Sequence, residues 1–240
     1  MTTTIISDDN PQVLLLQPVD SHDLEELDTE VAYIRAHTDV PFRLVAVHIR
    51  KWNEELTPWP APPVFGKIPF GEGAEKTLRE ILQIVEEQQQ QLGWKVDPSA
   101  PLKNVILGGY SLAGLFALWA GTQEAFGGIV AASPSVWYRD WLSYATTHPS
   151  PAAHVYLSLG DREHRSKTPI MATVNDCINR QRDLLVSQGV DTLLEMNPGN
   201  HFQDNGVRTA KGFVWAMNRI QAANQKDSCD QSTEFVSPLK

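Results

Sequence analysis

The chain has 240 residues, 42% hydrophobic and 20% charged, a composition suited to one globular domain with a large core. Twenty Lys and Arg against 29 Asp and Glu leave a net charge of −9. No basic stripe is visible and no apolar run reaches the roughly 18 residues of a spanning helix, so neither nucleic acid nor membrane is expected as a partner.

Residues 1–12 read as an N-terminal extension. Continuous apolar runs the length of buried strands follow at 13–19, 43–49, 104–108, 128–132, 155–159 and 192–196. Helical periodicity separates them. Leu24, Leu27, Val31 and Ile34 recur at three- and four-residue steps behind Asp23, with Glu26 three residues on, the spacing of a capping box. Residues 53–73 form a long connection rich in Pro, Gly and Trp, without a helical period; loops of that length often carry function. Leu78, Ile81, Leu82 and Val85 restore the period before Gly93, and the glutamines at 88–91 read as the solvated end of that helix. Thr168-Pro169 reads as an N-cap and first helical position of a helix running to Gly189. A last helix is expected over 207–223, with Ala210, Val214, Met217 and Gln221 on one face. From 224 to 240 the chain is polar and aperiodic, which predicts a frayed tail.

Apolar strands alternating with helices predict one α/β domain over 13–223, a doubly wound, mostly parallel sheet flanked by helices. Residues 1–10 have neither a basic n-region nor a long apolar stretch, so a cytoplasmic protein is expected. Cys177 and Cys229 are too few for a disulfide framework and lack metal-spaced partners. No cofactor or metal is expected, and oligomeric state is not legible.

The run at 104–108 leads through Gly109-Tyr110-Ser111-Leu112-Ala113-Gly114 into a helical apolar stretch. A serine on a sharp strand-to-helix turn is a nucleophile elbow: close approach of strand and helix demands small residues two before and two after it. Here the trailing small residue is Ala113, one methyl larger than glycine. The next N–H, that of Leu112, points where an oxyanion would form. The acid and base should follow in that order, at the ends of later strands. His201, five residues beyond the strand ending near Met196, is the candidate base. Residues 160–164, Gly-Asp-Arg-Glu-His, offer two carboxylates; Glu163 is the first choice of acid and Asp161 the second. Asp161, Glu163 and His164 alone do not make a metal site.

These motifs, with Ala-Ala-Ser-Pro-Ser-Val-Trp at 131–137 and Gly-Asn-His-Phe at 199–202, resemble α/β-hydrolase esterases of the esterase D and enterochelin-esterase type. That group includes siderophore trilactone hydrolases, feruloyl esterases and mycolyl transferases. The resemblance spans residues 13–223 and implies a minimal α/β-hydrolase fold without a large lid. It implies Ser111 as nucleophile, His201 as base and Glu163 as acid, although some trilactone hydrolases of the group resemble Ser–His dyads. It also implies a second oxyanion donor after the first core strand, where Ser21 and His22 are the candidates. Trp52, Trp59, Tyr110 and Trp137 are candidate substrate contacts, and Trp52, Trp59 and Trp137 with Tyr138 could build an aromatic wall suited to aryl or cyclic esters. Trp59 and its prolines read equally well as a rigid loop. Arg50 with Glu54 partly resembles a siderophore-esterase pattern, and Arg50 and Lys51 could meet an anionic substrate. The expected activity is hydrolysis of a small or medium ester; an acyltransferase with the same triad and an inert binding protein are the alternatives.

Overall fold

In the computed structural model, which describes residues 1–64, 66–97 and 99–233 (227–233 by backbone alone), the strands form one sheet. They are β1 (Thr3–Ser7), β2 (Val13–Val19), β3 (Phe42–His48), β4 (Leu102–Tyr110), β5 (Phe126–Ala132), β6 (His154–Gly160) and β7 (Asp191–Asn197). Their order is β1-β3-β2-β4-β5-β6-β7, with β1 antiparallel to β3 and the other pairs parallel. The helices are α1 (Ser21–His37), α2 (Trp52–Glu55), α3 (Ala74–Gln91), α4 (Leu112–Ala120), α5 (Trp141–Thr147), α6 (Val174–Ser187) and α7 (Asn205–Thr233). Among the described residues, no helix is long and apolar enough to cross a membrane.

The continuous apolar strands follow from helices on both faces. Leu14 and Leu16 of β2 point into one cluster with Leu78 and Ile81 of α3 and Phe116 of α4. Val13, Leu15 and Val19 point the other way, against Leu27, Val31 and Ile34 of α1 and Phe213 and Met217 of α7. A strand buried on both sides has no polar face to alternate with.

Several elements differ from the sequence expectation. Within residues 1–12, β1 adds an edge strand, with Ile5 opposite Val45; a five-residue edge strand buries little and leaves a weak apolar signal. Helix α1 starts earlier than Asp23 because Asp20 is its N-cap. The Asp20 carboxylate accepts the His22 and Asp23 N–H groups at 2.7 and 3.0 Å, and Asp23 accepts the Asp20 N–H at 3.2 Å, closing the capping box three residues upstream. Thr168-Pro169 precedes a 3₁₀ turn at Met171–Thr173, and α6 begins only at Val174. Gln88 is buried, not solvated, and accepts a hydrogen bond from Arg43 Nη1 at 3.0 Å. The short α2 and α5 have too few turns to show a period. Helix α7 continues to Thr233, past the predicted start of the tail; residues 234–240 of that tail lie outside the described residues.

The order of strands reverses between β2 and β4. In an open parallel sheet, the crevice at the carboxyl ends of the strands flanking such a reversal is where ligands bind. Ser111 follows β4, and the start of α1 follows β2.

Candidate active site

Between β4 and α4, Ser111 takes φ 57° and ψ −116°, a conformation that costs a residue with a Cβ about 1–3 kcal/mol. Its backbone is tied on both sides. The Ser111 N–H donates to Ala132 O at 2.9 Å, and Ser111 O accepts from the Ser135 and Leu115 N–H groups at 3.0 and 3.1 Å. Gly109 makes the turn possible: a Cβ there would lie 2.6 Å from Ala113 Cβ and 2.8 Å from its carbonyl carbon. The methyl of Ala113 is accommodated because position 109 has none. Leu112 opens α4, so its N–H belongs to the first turn, which has no intrahelical acceptors.

Ser111 Oγ lies 3.0 Å from His201 Nε2, and His201 Nδ1 lies 2.8 Å from Glu163 Oε2. Three elements distant in sequence thus bring together the elbow serine, the loop histidine and the first-choice carboxylate. Asp161 stands elsewhere. Its Oδ1 accepts the Gly199 N–H at 2.8 Å, bracing the histidine loop, while the side chain is 57% exposed. The same loops are joined by Asp161 N–H to Asn197 O at 2.8 Å and Arg162 N–H to Gly199 O at 3.0 Å. Tyr110, a candidate substrate contact, is buried and its hydroxyl donates to His201 O at 2.8 Å, so it holds the loop in place instead of facing a ligand.

Glu163 is anchored on its other oxygen. Oε1 accepts from Ser133 Oγ and the Gly160 N–H, both at 2.7 Å, and from Arg208 Nη1 at 3.2 Å. Burial alone would push its pKa up. The hydrogen bond and charge of His201, the Ser133 hydroxyl and the Gly160 N–H outweigh burial and hold it below the usual carboxylate value. Ser133 and Arg208 were not singled out in the sequence. Ser133 sits inside the Ser-Pro-Ser-Val-Trp motif. Arg208 lies one turn into α7, where a charge ordinarily faces solvent, so nothing marked it. Among the described residues, no group of three or more His, Cys, Asp or Glu is placed to hold a metal ion.

The remaining candidates divide. The N–H of His22 is taken by Asp20 and its ring is exposed beside Glu25, so capping of α1 removes it as an oxyanion donor and leaves Ser21 of the two. A cavity of about 360 Å³ opens beside His201, walled by Trp137, Met171, Val174 and Phe202, with Arg162 and Arg165 at its side. Trp52 and Trp59 are not among its lining residues. Trp52 packs on the core. Trp59 donates from Nε1 to Arg139 O at 2.9 Å and rests its ring 5.1 Å from Tyr144 and 5.9 Å from Tyr138. Trp59 is thereby anchored to the segment around Tyr138 and Tyr144. Arg50 and Glu54 line a separate cavity, where Glu54 pairs with Lys51 at 3.0 Å.

No protein-family model matches the chain, and no curated protein matches it in sequence. Solved structures do. An IroE-like serine hydrolase from Shewanella oneidensis superposes with a TM-score of 0.70 at 14% identity, over 88% of this chain and 74% of that one. The siderophore hydrolase EstA from Aspergillus nidulans gives 0.63 at 20% identity, over 88% and 84%. The enterobactin esterase FES from Shigella flexneri gives 0.60 at 16% identity, over 91% of this chain and 55% of that one. With its seven-stranded, mostly parallel sheet, the chain therefore has a compact α/β-hydrolase fold.

Proposed function

We propose that the protein is a serine carboxylesterase. The observation that carries this reading is the hydrogen-bonded chain from Ser111 Oγ through His201 to Glu163, with links of 3.0 and 2.8 Å. A serine hydroxyl is a weak nucleophile at neutral pH and needs an adjacent base. His201 Nε2 takes the Ser111 proton as Oγ attacks the ester carbonyl carbon. The tetrahedral oxyanion falls beside the Leu112 N–H, with Ser21 as the second donor. Losing one such donor typically costs on the order of 10² to 10³ in rate. Collapse expels the alcohol, which receives the proton from His201. Water then attacks the acyl-enzyme with His201 again as base, releasing the acid and restoring Ser111. Glu163 fixes the imidazole tautomer and stabilises its cation. The names of the structural neighbours, esterases and siderophore hydrolases among them, favour an ester over other acyl substrates.

The test is hydrolysis of p-nitrophenyl acetate and butyrate by wild type beside Ser111→Ala and His201→Ala, with a fluorophosphonate label read by intact mass. Activity and a single adduct on Ser111, both lost in Ser111→Ala, are expected. Equal rates in wild type and Ser111→Ala, with no adduct, would remove the esterase reading.

A further inference from the structure

The turn after β6 carries a cluster of cations on an acidic protein. Arg162, Arg165 and Lys167 fall within six residues, on a chain of net charge −9. The acid between them, Glu163, is turned inward with its side chain 4% exposed, and its charge is spent on His201 and Arg208. Residues 163–165 form a 3₁₀ turn closed by the Arg165 N–H donating to Arg162 O at 3.0 Å. Side chains three apart in such a turn eclipse one another. Arg162 and Arg165 therefore leave the backbone on one side, and that side lines the 360 Å³ cavity beside His201.

Among the described residues, little neutralises this pair. The Nε of Arg162 lies 3.8 Å from Asp161 Oδ1, a carboxylate already engaged by the Gly199 N–H, and both side chains are more than half exposed. Among the described residues, Arg165 has no carboxylate within ion-pair distance. The same cavity is lined by the apolar Trp137, Met171, Val174 and Phe202, together with the polar Ser133, Ser166 and Asn200. A concave wall of low polarity concentrates the field of such cations on whatever enters. Guanidinium groups match the two oxygens of a carboxylate or similar anion through paired hydrogen bonds.

We propose that Arg162 and Arg165 form an anion-recognition pair, selecting esters whose alcohol half has an apolar or aryl body bearing a carboxylate or comparable anion. This rests on the esterase reading of Ser111. The alcohol half is assigned because the cavity adjoins His201, the group that returns the proton to the leaving alcohol.

Two ester pairs test it: 3-carboxyphenyl butyrate against phenyl butyrate, and mono-p-nitrophenyl adipate against p-nitrophenyl hexanoate. Wild type is expected to show about tenfold higher kcat/KM for the carboxyphenyl ester than for its neutral partner, as two exposed charge contacts would give. In Arg162→Gln/Arg165→Gln that ratio falls to about one, and in wild type it shrinks in high salt, which screens exposed charges. Calorimetry on Ser111→Ala with the same esters reads recognition without turnover. About tenfold tighter binding of the anionic ester, lost when both arginines are also replaced, supports the proposal. Equal binding of the two esters, or a preference that survives the arginine changes, overturns it. A preference confined to the adipate pair overturns the assignment to the alcohol half. If binding discriminates but wild type turns over no faster than Ser111→Ala, the esterase reading fails while the recognition stands. Both replaced side chains are exposed, and thermal unfolding checks that the variant remains folded.

Discussion

Arg208 Nη1 lies 3.2 Å from Glu163 Oε1 in an ion pair whose side chains are only 1% and 4% exposed. The same guanidinium contacts the Tyr110 hydroxyl at 3.2 Å and Pro198 O at 2.9 Å. One side chain thus joins the acid loop, the elbow strand and the loop that presents His201. Breaking a buried pair from one side typically costs about 3–5 kcal/mol because the remaining charge is left uncompensated. Arg208→Met should lower the unfolding temperature and reduce kcat about 10- to 100-fold, as small misplacements of a reacting group do. It should also move the acid limb of the pH–rate profile upward. A positive charge 3.2 Å from Glu163 Oε1 favours the ionised carboxylate, so its removal lets Glu163 take up a proton at higher pH. Arg208→Lys should recover part of both effects. A limb that stays in place in a folded Arg208→Met protein would reduce Arg208 to a purely structural role.

Glu163 and Asp161 lie two residues apart, and the geometry ranks them sharply. Glu163 Oε2 is 2.8 Å from His201 Nδ1, whereas Asp161 Oδ1 accepts only a backbone N–H, at 2.8 Å. Glu163→Gln should therefore lose about 10³ to 10⁴ in kcat, the scale seen when a triad acid becomes an amide and the imidazole tautomer is lost. Asp161→Asn retains an oxygen for the Gly199 N–H and should stay within about threefold of wild type. Steady-state kinetics on the two variants decides the order; the reverse ranking would move the acid to Asp161.

The parallel strands and the long helices were legible because each carries enough residues to display a period. The run at 13–19 corresponds to β2 residue for residue, since both its faces are buried. The chain order of Ser111, Glu163 and His201 was legible for a related reason: each follows a recognisable strand. What sequence missed acts at short range or across it. The cap of α1 fell on Asp20 because Asp20 and Asp23 exchange hydrogen bonds, and Asp23 with Glu26 presents the same spacing three residues later. Tyr110 and Arg208 point inward through partners 91 and 98 residues away, and no local pattern encodes such pairings. Trp59 reads identically as ligand contact or loop anchor until its partners on Arg139, Tyr138 and Tyr144 are known.

Gly109 and Ala113 divide a fixed space at the elbow. A Cβ on residue 109 would sit 2.6 Å from Ala113 Cβ, but also 2.8 and 2.9 Å from the carbonyl carbon and oxygen of Ala113. Gly109→Ala should destabilise by about 2 kcal/mol or more, since overpacking of this kind typically costs 1–3 kcal/mol and backbone cannot step aside. Adding Ala113→Gly removes only the methyl and leaves both backbone contacts, so the double variant should not regain stability. Denaturant unfolding of the three variants tests this. Full recovery in the double variant would show that the methyl alone sets the limit at position 109.

Two buried carboxyls, Glu30 and Asp23, should contribute less stability as pH rises from acid toward pH 8, the reverse of the usual carboxylate behaviour. Glu30 is 1% exposed and receives one hydrogen bond, from Gln17 Nε2 at 3.2 Å. Burial raises its pKa from 4.5 to about 8. Asp23, buried beside Asp20, is raised from 3.8 to about 7 by burial and by that neighbour's charge. Between the unfolded and folded pKa values the folded protein holds a proton that the unfolded chain has released. Their contribution is therefore fully present below about pH 4 and declines as pH rises, by up to about 1.4 kcal/mol per unit for each group. Glu30→Gln keeps the shape and the amide contact while removing the titration. It should match wild type near pH 5 and exceed it at pH 8.5, and urea unfolding at both values measures the difference. Parallel curves for the two proteins would mean that Glu30 does not hold its proton in the folded state.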